Sequence, residues 1–395
     1  MTVLTAWKTE KALPIISVIT FIGFLDTPLL IPVIALYAAK LGSSIGIIGI
    51  IVGLYSLTNT LANIFFGRLV DRFGYRMPLF AGLIGDAVSM FLYSLCRLPV
   101  QLALVRVLHG ISGGVVGPAT MSAIAEHSQE QRKGRGMAFY GIALAAATLV
   151  GYGLSGFLAS SFGFRVIFWM GAGLLIFGVI LSLFLPNTKK MAAASSEVSS
   201  AGSWAKIREL LARRELVIAY MAIFAQYFTF GGVVTLLPLY VKGLGMEALH
   251  VGILMAIFAV VFLILQFPVG ILSDRMGRIR PIFAGIGLSA FALVVMSTVN
   301  SFAMLAIAMA IYGIAYGTLF PSISAVVVDN STSGERGIAT GIFHAMLTSG
   351  VALGAPLMGW IGEMAGVRSG LLLTSIIMIA ALLIILGLAR GHRQT

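Results

Sequence analysis

Twelve long apolar stretches, separated by short polar segments, run through the whole chain. Each is near the roughly 20 residues that an α-helix needs to cross about 30 Å of hydrocarbon. The first stretch continues without a small-residue cleavage site, so it indicates a span rather than a removed signal peptide. The pattern predicts an all-α integral membrane protein with twelve transmembrane helices at residues 12–38, 44–66, 78–96, 99–125, 135–160, 164–185, 214–241, 248–270, 281–298, 301–328, 337–361 and 367–389.

One long polar segment interrupts this series after the sixth span. Its first part, around residues 191–196, is rich in Ala and Ser and predicts a flexible linker. Its second part, residues 204–214, mixes apolar with basic residues, which is typical of a short amphipathic helix on a membrane surface. We predict a first six-helix bundle at 1–185, a cytoplasmic linker at 186–213 and a second six-helix bundle at 214–395.

A charged segment occurs twice. Gly-Arg-Leu-Val-Asp-Arg-Phe-Gly-Tyr-Arg-Met-Pro begins at Gly67, and Gly-Ile-Leu-Ser-Asp-Arg-Met-Gly-Arg-Ile-Arg-Pro begins 203 positions later at Gly270. Further glycines and prolines match at the same offset, with Pro118 and Pro321 as one pair. These matches predict two six-helix bundles related by an internal parallel repeat.

Glycines have local reasons within the repeated segment. Gly67 and Gly270 are expected to end helices, and Gly74 and Gly277 to adopt a positive φ or to allow helices to approach closely. On the residues alone, the segment could serve only to anchor helix ends by charge on one side of the membrane.

Composition agrees with the membrane prediction and excludes a soluble core, because 59% of the residues are hydrophobic and only 10% are charged. The net charge of +12 comes from basic residues in the loops, so it does not indicate a nucleic-acid partner. Placing both termini on the linker side puts 20 basic residues there and 5 on the other, which predicts cytoplasmic termini. The single cysteine, Cys96, excludes an internal disulfide and a cysteine metal site.

Two of the 14 acidic residues, Asp26 and Asp86, lie in the interior of predicted spans, away from the span ends. A charge in hydrocarbon costs on the order of 3 kcal/mol, so such residues usually face a cavity or a partner. Asp26 is interpreted as a cavity-facing acid that exchanges a proton, with two alternatives: a static partner of Arg106, or a cap for the helix loosened by Pro28. Asp86 is either a second functional acid or a protonated structural residue.

The basic and neutral polar residues of the spans differ between the two halves. Arg106 always carries a charge and needs an acid, a carbonyl or an anionic substrate as its partner. His109 could titrate or could be a satisfied structural histidine. The second half has no acid in the interior of its spans, and its neutral polar residues there include Gln226, Tyr227, Thr229, Gln266, Tyr312, Tyr316, Thr318, Thr348 and Ser349.

Three motifs carry a resemblance to a known family. Gly-x-Leu-x-Asp-Arg-x-Gly, present in both charged segments, resembles the signature loop of the major facilitator superfamily. Arg106-Val-Leu-His-Gly110 is similar to the fourth-helix motif of its proton-linked members. Gly151-Tyr-Gly-Leu-Ser-Gly156 is similar to the glycine-rich motif of its drug:proton antiporters, with Tyr152 where that branch has proline.

The resemblance implies roles for these residues. The charged segments would form a conformational latch between the halves, and an arginine after the second glycine would join two acids in a relay. The second copy has all three relay residues as Asp274, Arg278 and Asp329, whereas Tyr75 replaces the arginine in the first. The implied latch residues are Gly67, Asp71, Arg72, Gly74, Arg76, Glu126, Gly270, Asp274, Arg275, Gly277, Arg278 and Asp329, with Arg72 or Arg76 as candidate substitutes for the missing arginine.

The resemblance also places helices one, four, seven and ten around a central cavity. Arg106 would modulate the proton affinity of a nearby acid. The proton-coupling candidates are Asp26, Asp86, Arg106 and His109, and the substrate-binding candidates are Asp26, Arg106, Gln226, Tyr227, Gln266, Tyr312 and Tyr316.

These features predict a secondary transporter, because the sequence shows no phosphate-binding loop, metal-ligand cluster or nucleophile triad. The leading hypothesis is proton-coupled efflux of amphipathic, drug-like molecules by a monomer in a prokaryotic plasma membrane, in contact with membrane lipid. It needs no cofactor, because a proton gradient supplies the energy. The alternatives are a symporter or uniporter that imports a metabolite, a lipid or lysolipid flippase, and a non-transporting sensor.

Overall fold

The computed structural model describes residues 3–127, 133–185, 200–332 and 334–390, with the side chains of 3–11, 68, 71, 133–135, 200–205, 389 and 390 outside the description. Within these ranges the protein consists of fourteen helices without a strand. Eleven are long and apolar enough to cross a membrane. The remaining predicted span is α4 (Arg76–Tyr93), whose first residue is charged and whose middle contains Asp86. The predicted all-α membrane fold is confirmed.

Contacts divide the chain into two units. The first unit comprises Met1–Gly42 and Leu54–Ser196, and the second comprises Ser43–Gly53 and Glu197–Thr395. The helices of the first half are α1 (Val3–Leu30), α2 (Ile34–Lys40), α3 (Ile45–Phe73), α4 (Arg76–Tyr93), α5 (Pro99–His127), α6 (Lys133–Phe162) and α7 (Phe164–Leu183). In the first unit α1 packs on α6, and α4 packs on both α5 and α7.

The second half repeats this arrangement after one additional short helix. Its helices are α8 (Ser200–Ala212), α9 (Arg214–Gly243), α10 (Ala248–Met276), α11 (Ile279–Thr298), α12 (Phe302–Asp329), α13 (Arg336–Ala365) and α14 (Val367–Arg390). Here α9 packs on α13, and α11 packs on both α12 and α14. The first turns of α3 belong to this unit by contacts, and Glu363 accepts hydrogen bonds there from the Ser44 hydroxyl at 2.8 Å and the Gly46 amide at 2.7 Å.

The repeat is visible in the backbone as well as in the sequence. The described residues with a positive φ are six glycines, which form three pairs 203 positions apart: Gly42 and Gly245, Gly74 and Gly277, and Gly163 and Gly366. Side-chain hydrogen bonds repeat too, because the Tyr37 hydroxyl donates to the Cys96 carbonyl at 3.1 Å and the Tyr240 hydroxyl donates to the Val299 carbonyl at 2.9 Å. The predicted parallel repeat is therefore confirmed at the level of individual contacts.

The first predicted span is not one continuous helix, which corrects the expectation for residues 12–38. Helix α1 ends at Leu30, and α2 begins at Ile34. Pro32 lies in the turn between them. A proline has no N–H to donate and its ring clashes with the carbonyl four residues earlier, so Pro32 interrupts the helix at this point.

The charged segments also differ from expectation at one pair of glycines. Gly67 and Gly270 lie inside α3 and α10, so the prediction that they end helices is wrong. A glycine inside a helix costs only about 1 kcal/mol relative to alanine, and the residues that follow are compatible with a helix. Both helices end instead before Gly74 and Gly277, whose φ values are 80° and 85°. For these two, the expected positive φ is confirmed.

Helix α8 coincides with the predicted amphipathic segment. Leu210 on this helix is fully buried, whereas Lys206 and Arg208 are exposed. The predicted flexible part of the linker, residues 191–196, lies outside the described residues.

Candidate functional site

Three helices of the first unit bring two acids and a histidine together in its interior. Nε2 of His109 on α5 lies 2.9 Å from Oδ2 of Asp26 on α1 and 3.9 Å from Oδ1 of Asp86 on α4. The side chains are almost completely buried, with His109 and Asp86 at 0% exposure and Asp26 at 4%. The direct partner of Asp26 is thus a histidine. We refer to Asp26, Asp86 and His109 as the ionisable cluster.

Each member of the ionisable cluster is held by a further hydrogen bond. The backbone amide of Thr27 donates to Oδ1 of Asp26 at 2.5 Å, and the Ser112 hydroxyl donates to Oδ1 of Asp86 at 2.5 Å. The Tyr93 hydroxyl lies 3.1 Å from Nδ1 of His109. Both His109 nitrogens therefore have a partner. Oδ2 of Asp86 is different, because it is buried and has no hydrogen-bond partner among the described residues.

Arg106 adds a permanent positive charge beside this cluster. Its guanidinium lies 4.8 Å from the centre of the Tyr55 ring, and the same ring lies 5.0 Å from the His109 ring. Tyr55 also accepts a hydrogen bond from the Thr27 hydroxyl at 2.8 Å. Arg106 is 3% exposed, so its charge acts in an environment that screens it weakly.

The donor set of the ionisable cluster has the composition of a metal site. One carboxylate oxygen from each aspartate and one His109 nitrogen all lie within 4.8 Å of one another. The fixed charge of Arg106 nearby repels a divalent cation, so we do not assign these residues as metal ligands. All three residues were proton-coupling candidates from the sequence, but their contact could not be predicted, because they lie on three separate helices.

The second unit has a neutral cluster built around Gln226 on α9. Its Oε1 accepts a hydrogen bond from the Ser289 hydroxyl at 3.0 Å, and its backbone carbonyl accepts one from the Tyr316 hydroxyl at 2.9 Å. The hydroxyls of Thr229 and Tyr312 lie 3.3 Å apart. Nε2 of Gln226 is buried and has no partner among the described residues. We refer to these five residues as the neutral cluster.

Aromatic rings cover the neutral cluster. Tyr316 contacts the rings of Tyr227, Phe230 and Phe258 at centroid distances of 5.7, 5.8 and 5.0 Å. Four of the substrate-binding candidates are thereby brought together, namely Gln226, Tyr227, Tyr312 and Tyr316. Gln266 is half-buried on α10 and makes no hydrogen bond to them among the described residues. That Asp26 and Arg106 share a cavity with this set stays a prediction.

The second charged segment contains the three relay residues in contact. Arg278 forms an ion pair with Asp274, and its Nε donates to Oδ2 of Asp329 at 3.0 Å. Hydrogen bonds to Asp274 and then to Asp329 raise the pKa of Arg278. Arg275 in the same segment is exposed. The contacts join the end of α10 to the end of α12.

The first charged segment is arranged differently around Tyr75, which is fully buried and meets the His127 ring edge-on at 5.8 Å. Burial raises the pKa of the Tyr75 hydroxyl. The Arg76 guanidinium donates to the Leu183 carbonyl at 2.8 Å, and that of Arg72 lies over the Phe73 ring at 5.3 Å. Aromatic rings, those of Phe73 and Tyr75, thus lie at the end of α3. Glu126 at the end of α5 is exposed, and the Asp71 side chain lies outside the described residues.

Sequence reasoning missed the residues that orient the ionisable cluster. Tyr55, Tyr93 and Ser112 are ordinary span residues in sequence, and their importance comes from their contacts with His109 and Asp86. Ser112 lies three residues after His109, which places both on nearby positions of one helix. That spacing was the one signal available before the structure. Tyr55 and Tyr93 carry no comparable signal.

Comparisons with known proteins agree with this architecture. The family model described as Major Facilitator Superfamily matches residues 16–261 and 244–394. An uncharacterized MFS-type transporter of Methanocaldococcus jannaschii is 25% identical over 369 residues, which cover 92% of this chain and 94% of that protein. Multidrug resistance protein MdtG of Klebsiella pneumoniae is 27% identical over 316 residues, which cover 77% and 76% of the two chains.

A solved structure shows the same fold. A bacterial homolog of the human lysosomal transporter Spinster, in an inward-facing and unoccupied conformation, superposes with a TM-score of 0.83 over 97% of both chains at 16% identity. The family model spans nearly the whole chain, and the motifs that resemble the family lie within it. The chain therefore belongs to the major facilitator superfamily, as a multi-pass membrane transporter of small molecules and not an enzyme.

Proposed function

We propose that this transporter exports amphipathic, drug-like molecules in exchange for protons by alternating access. The observation that carries the proposal is the buried pair of Asp26 and His109 beside the fixed charge of Arg106. The similarity to a multidrug resistance protein of Klebsiella pneumoniae supports export of such compounds.

A buried acid can couple two ligands that compete for one negative charge. An ionised Asp26 attracts either a proton or a cationic substrate, and occupancy by one removes the attraction for the other. His109 faces the carboxylate directly, and its imidazole is a group that can pass a proton to or from that acid. Arg106 adds a permanent positive charge next to the pair, which attracts an anionic carboxylate in this weakly screened interior. Competition of this kind produces exchange rather than co-transport.

The relay of Asp274, Arg278 and Asp329 suits the conformational part of the cycle. Its ion pairs are partly exposed, since the Arg278 side chain is 28% exposed and Asp274 is 63% exposed. Such pairs contribute about 0–1 kcal/mol each, which a change of state can reverse. The set serves as a latch in this proposal.

We also propose a membrane location, an oligomeric state and an orientation for the transporter. It lies in a prokaryotic plasma membrane as a monomer, with both termini in the cytoplasm on the side of the basic loops. The proton gradient is its energy source, and no bound cofactor is required.

The test uses purified protein in liposomes loaded with a cationic aromatic dye. With an imposed pH gradient, the dye is expected to move against its own gradient, and without one it is expected to equilibrate. Asp26→Asn should abolish the response to pH and weaken binding of the cationic dye, because both depend on the ionised carboxylate. Thr20→Val is a matched control, because Thr20 is also buried on α1 and its hydroxyl donates to the Ile16 carbonyl at 2.7 Å.

Two outcomes contradict the proposal. Unchanged coupling in Asp26→Asn would remove Asp26 from the proton site. Transport of anionic solutes that depends on Arg106 and follows the proton gradient inward would favour the importer alternative.

A further inference from the structure

Asp86 has a position that the exchange between Asp26 and His109 does not explain. It lies on a different helix from either residue and is completely buried. Its Oδ1 accepts the Ser112 hydroxyl, and its Oδ2 has no partner among the described residues. A buried polar atom without a partner costs free energy, so its persistence calls for a ligand that occupies it at some stage.

Charge balance within the ionisable cluster indicates what that ligand is. The titratable groups next to Asp86 are Asp26 from α1, Tyr55 from α3 and His109 from α5. Arg106 contacts Tyr55, and Tyr93 contacts His109, so these two lie one residue further away. His109 is 2.9 Å from Asp26 but 3.9 Å from Asp86, so its Nε2 hydrogen bond serves Asp26. An ionised Asp86 is left without a direct charged donor, and a bound proton removes that charge.

The geometry provides a route for this proton. Nε2 of His109 lies between the two carboxylates, and an approach of roughly 1 Å would bring it within hydrogen-bond distance of Asp86. Nδ1 of His109 lies 3.1 Å from the Tyr93 hydroxyl, and this contact limits rotation of the ring. Because Nε2 carries a single hydrogen, His109 can serve one acid at a time.

We propose that Asp86 is a second proton-binding site and that the transporter exchanges two protons for each substrate molecule. This inference rests on the proposed function and adds its stoichiometry. One proton binds at the pair of Asp26 and His109, and the other binds at the Asp86 carboxylate. The proton on Asp86 is released when the cluster meets water on the opposite side of the membrane.

The stoichiometry is measured as the dye gradient at which net flux through the protein is zero. Purified full-length protein is reconstituted with the cationic dye, and the membrane potential is clamped at zero. With a pH difference of one unit, each coupled proton supports about a tenfold dye gradient. We expect flux to reverse at about a hundredfold gradient in the native protein and at about tenfold in Asp86→Asn.

Two further variants make this result specific. Asp86→Ser copies the residue at the equivalent position of the second half, Ser289, which forms part of a buried helix contact there. It is expected to reverse at the same gradient as Asp86→Asn. Ser89→Ala is the control, because Ser89 is buried on the same helix and its hydroxyl donates to the Gly85 carbonyl at 2.7 Å. It should keep the native value.

Reversal of the native protein at about tenfold would overturn the inference and leave the proposed exchange intact. Reversal of both Asp86 variants at the native hundredfold value would overturn it as well. The native measurement alone decides the stoichiometry if the variants do not fold. A native protein whose flux is independent of pH would contradict the proposed function itself, and with it this inference.

Discussion

The two buried clusters occupy equivalent positions of the repeated fold but differ in chemistry. At the 203-residue offset, Asp26 corresponds to Thr229, Asp86 to Ser289 and His109 to Tyr312. The contact between Asp26 and His109, at 2.9 Å, has its equivalent in the contact between Thr229 and Tyr312, at 3.3 Å. One fold thus presents three ionisable groups in the first unit and three hydroxyls in the second. Geometry was retained while charge was not.

The surroundings of the clusters differ in the same direction. Tyr55 in the first half corresponds to Phe258 in the second, and each lies against the equivalent residue, His109 at 5.0 Å and Tyr312 at 5.6 Å. The Tyr55 hydroxyl accepts a hydrogen bond from Thr27, and the phenyl ring of Phe258 has no hydroxyl at the equivalent position. Tyr316 occupies the position that corresponds to a glycine of the first half and adds further aromatic surface. Under the proposed exchange, the first unit would bind the protons and the second would contact the apolar surface of the substrate.

Equivalent substitutions in the two clusters should have unequal effects, and His109→Gln is expected to have the largest. Glutamine keeps a donor for Asp26 but cannot be protonated near neutral pH. Proton-driven dye transport should fall by about a hundredfold, the lower end of what a positioned proton-transfer group contributes. The rate should also lose its dependence on pH. Tyr312→Phe is the matched change in the second unit and should retain transport within about twofold.

The measurement is the initial rate of dye movement in liposomes at several external pH values. Equal losses in His109→Gln and Tyr312→Phe would contradict the division of roles between the two units. A thermal unfolding scan of each variant separates loss of coupling from loss of folding.

The sequence was sufficient for the repeat and the family, but not for the ionisable cluster. Periodic glycines and apolar runs report backbone geometry, which is why the offset found in the charged segments also appears at Gly163 and Gly366. The partnership of Asp26 with His109 depends on how α1 and α5 are rotated about their axes, and hydropathy does not fix this. The helix break before α2 followed from Pro32 and was missed because the apolar run continues through it.

The charged segments permit a second test of asymmetry between the halves. Asp274 belongs to a complete relay with Arg278. In the first segment Asp71 corresponds to Asp274, but Tyr75 stands where the second segment has Arg278. Asp274→Asn should reduce transport at least as severely as Asp71→Asn, by about tenfold if one reversible ion pair controls the change of state. Both variants should bind dye normally if the charged segments act only on the change of state.

The transport rates of Asp71→Asn and Asp274→Asn are compared at equal amounts of reconstituted protein. Loss of transport in Asp71→Asn with normal transport in Asp274→Asn would show that the first segment controls the cycle. Arg280→Gln is a suitable control, because Arg280 is exposed on α11 close to the relay and is not one of the implied latch residues.

The neutral cluster permits a third test with a smaller expected effect, in which the same substitution is made at Gln226 and at Gln266 and the results are compared. The buried Nε2 of Gln226 has no hydrogen-bond acceptor among the described residues. Gln266 is half-buried on another helix of the same unit. Gln226→Leu should raise the dye concentration for half-maximal transport roughly threefold to tenfold, the value of one hydrogen bond. Gln266→Leu should change it little. An equal change in both would show that Gln226 is structural. Coupling to pH should remain native in both variants.

The smallest effect is expected at the ion pair of Arg213 and Glu335. The first half has an acid at the position of the base and a base at the position of the acid. Arg213 donates to the two Glu335 oxygens at 2.9 and 2.7 Å, and the equivalent positions of the first half are Glu10 and Arg132. The Arg213 hydrogen bond lowers the pKa of Glu335 to about 2. The pair should thus contribute its full stability above the unfolded-state pKa of about 4.5 and lose it as pH falls through about 2.

Glu335→Gln should therefore lower the melting temperature slightly, and by the same amount at about pH 5 and about pH 8, because both lie above that window. Combining Arg213→Glu with Glu335→Arg reproduces the charge order of the first half and should restore part of the loss. Thermal unfolding of the detergent-purified protein measures both effects. A change that grows between about pH 8 and about pH 5 would mean that Glu335 titrates in that range and that Arg213 does not hold it ionised. Failure of the exchanged pair to recover any stability would show that the surrounding backbone acceptor, the Asn330 carbonyl that Arg213 also contacts at 2.9 Å, fixes which residue can be the arginine.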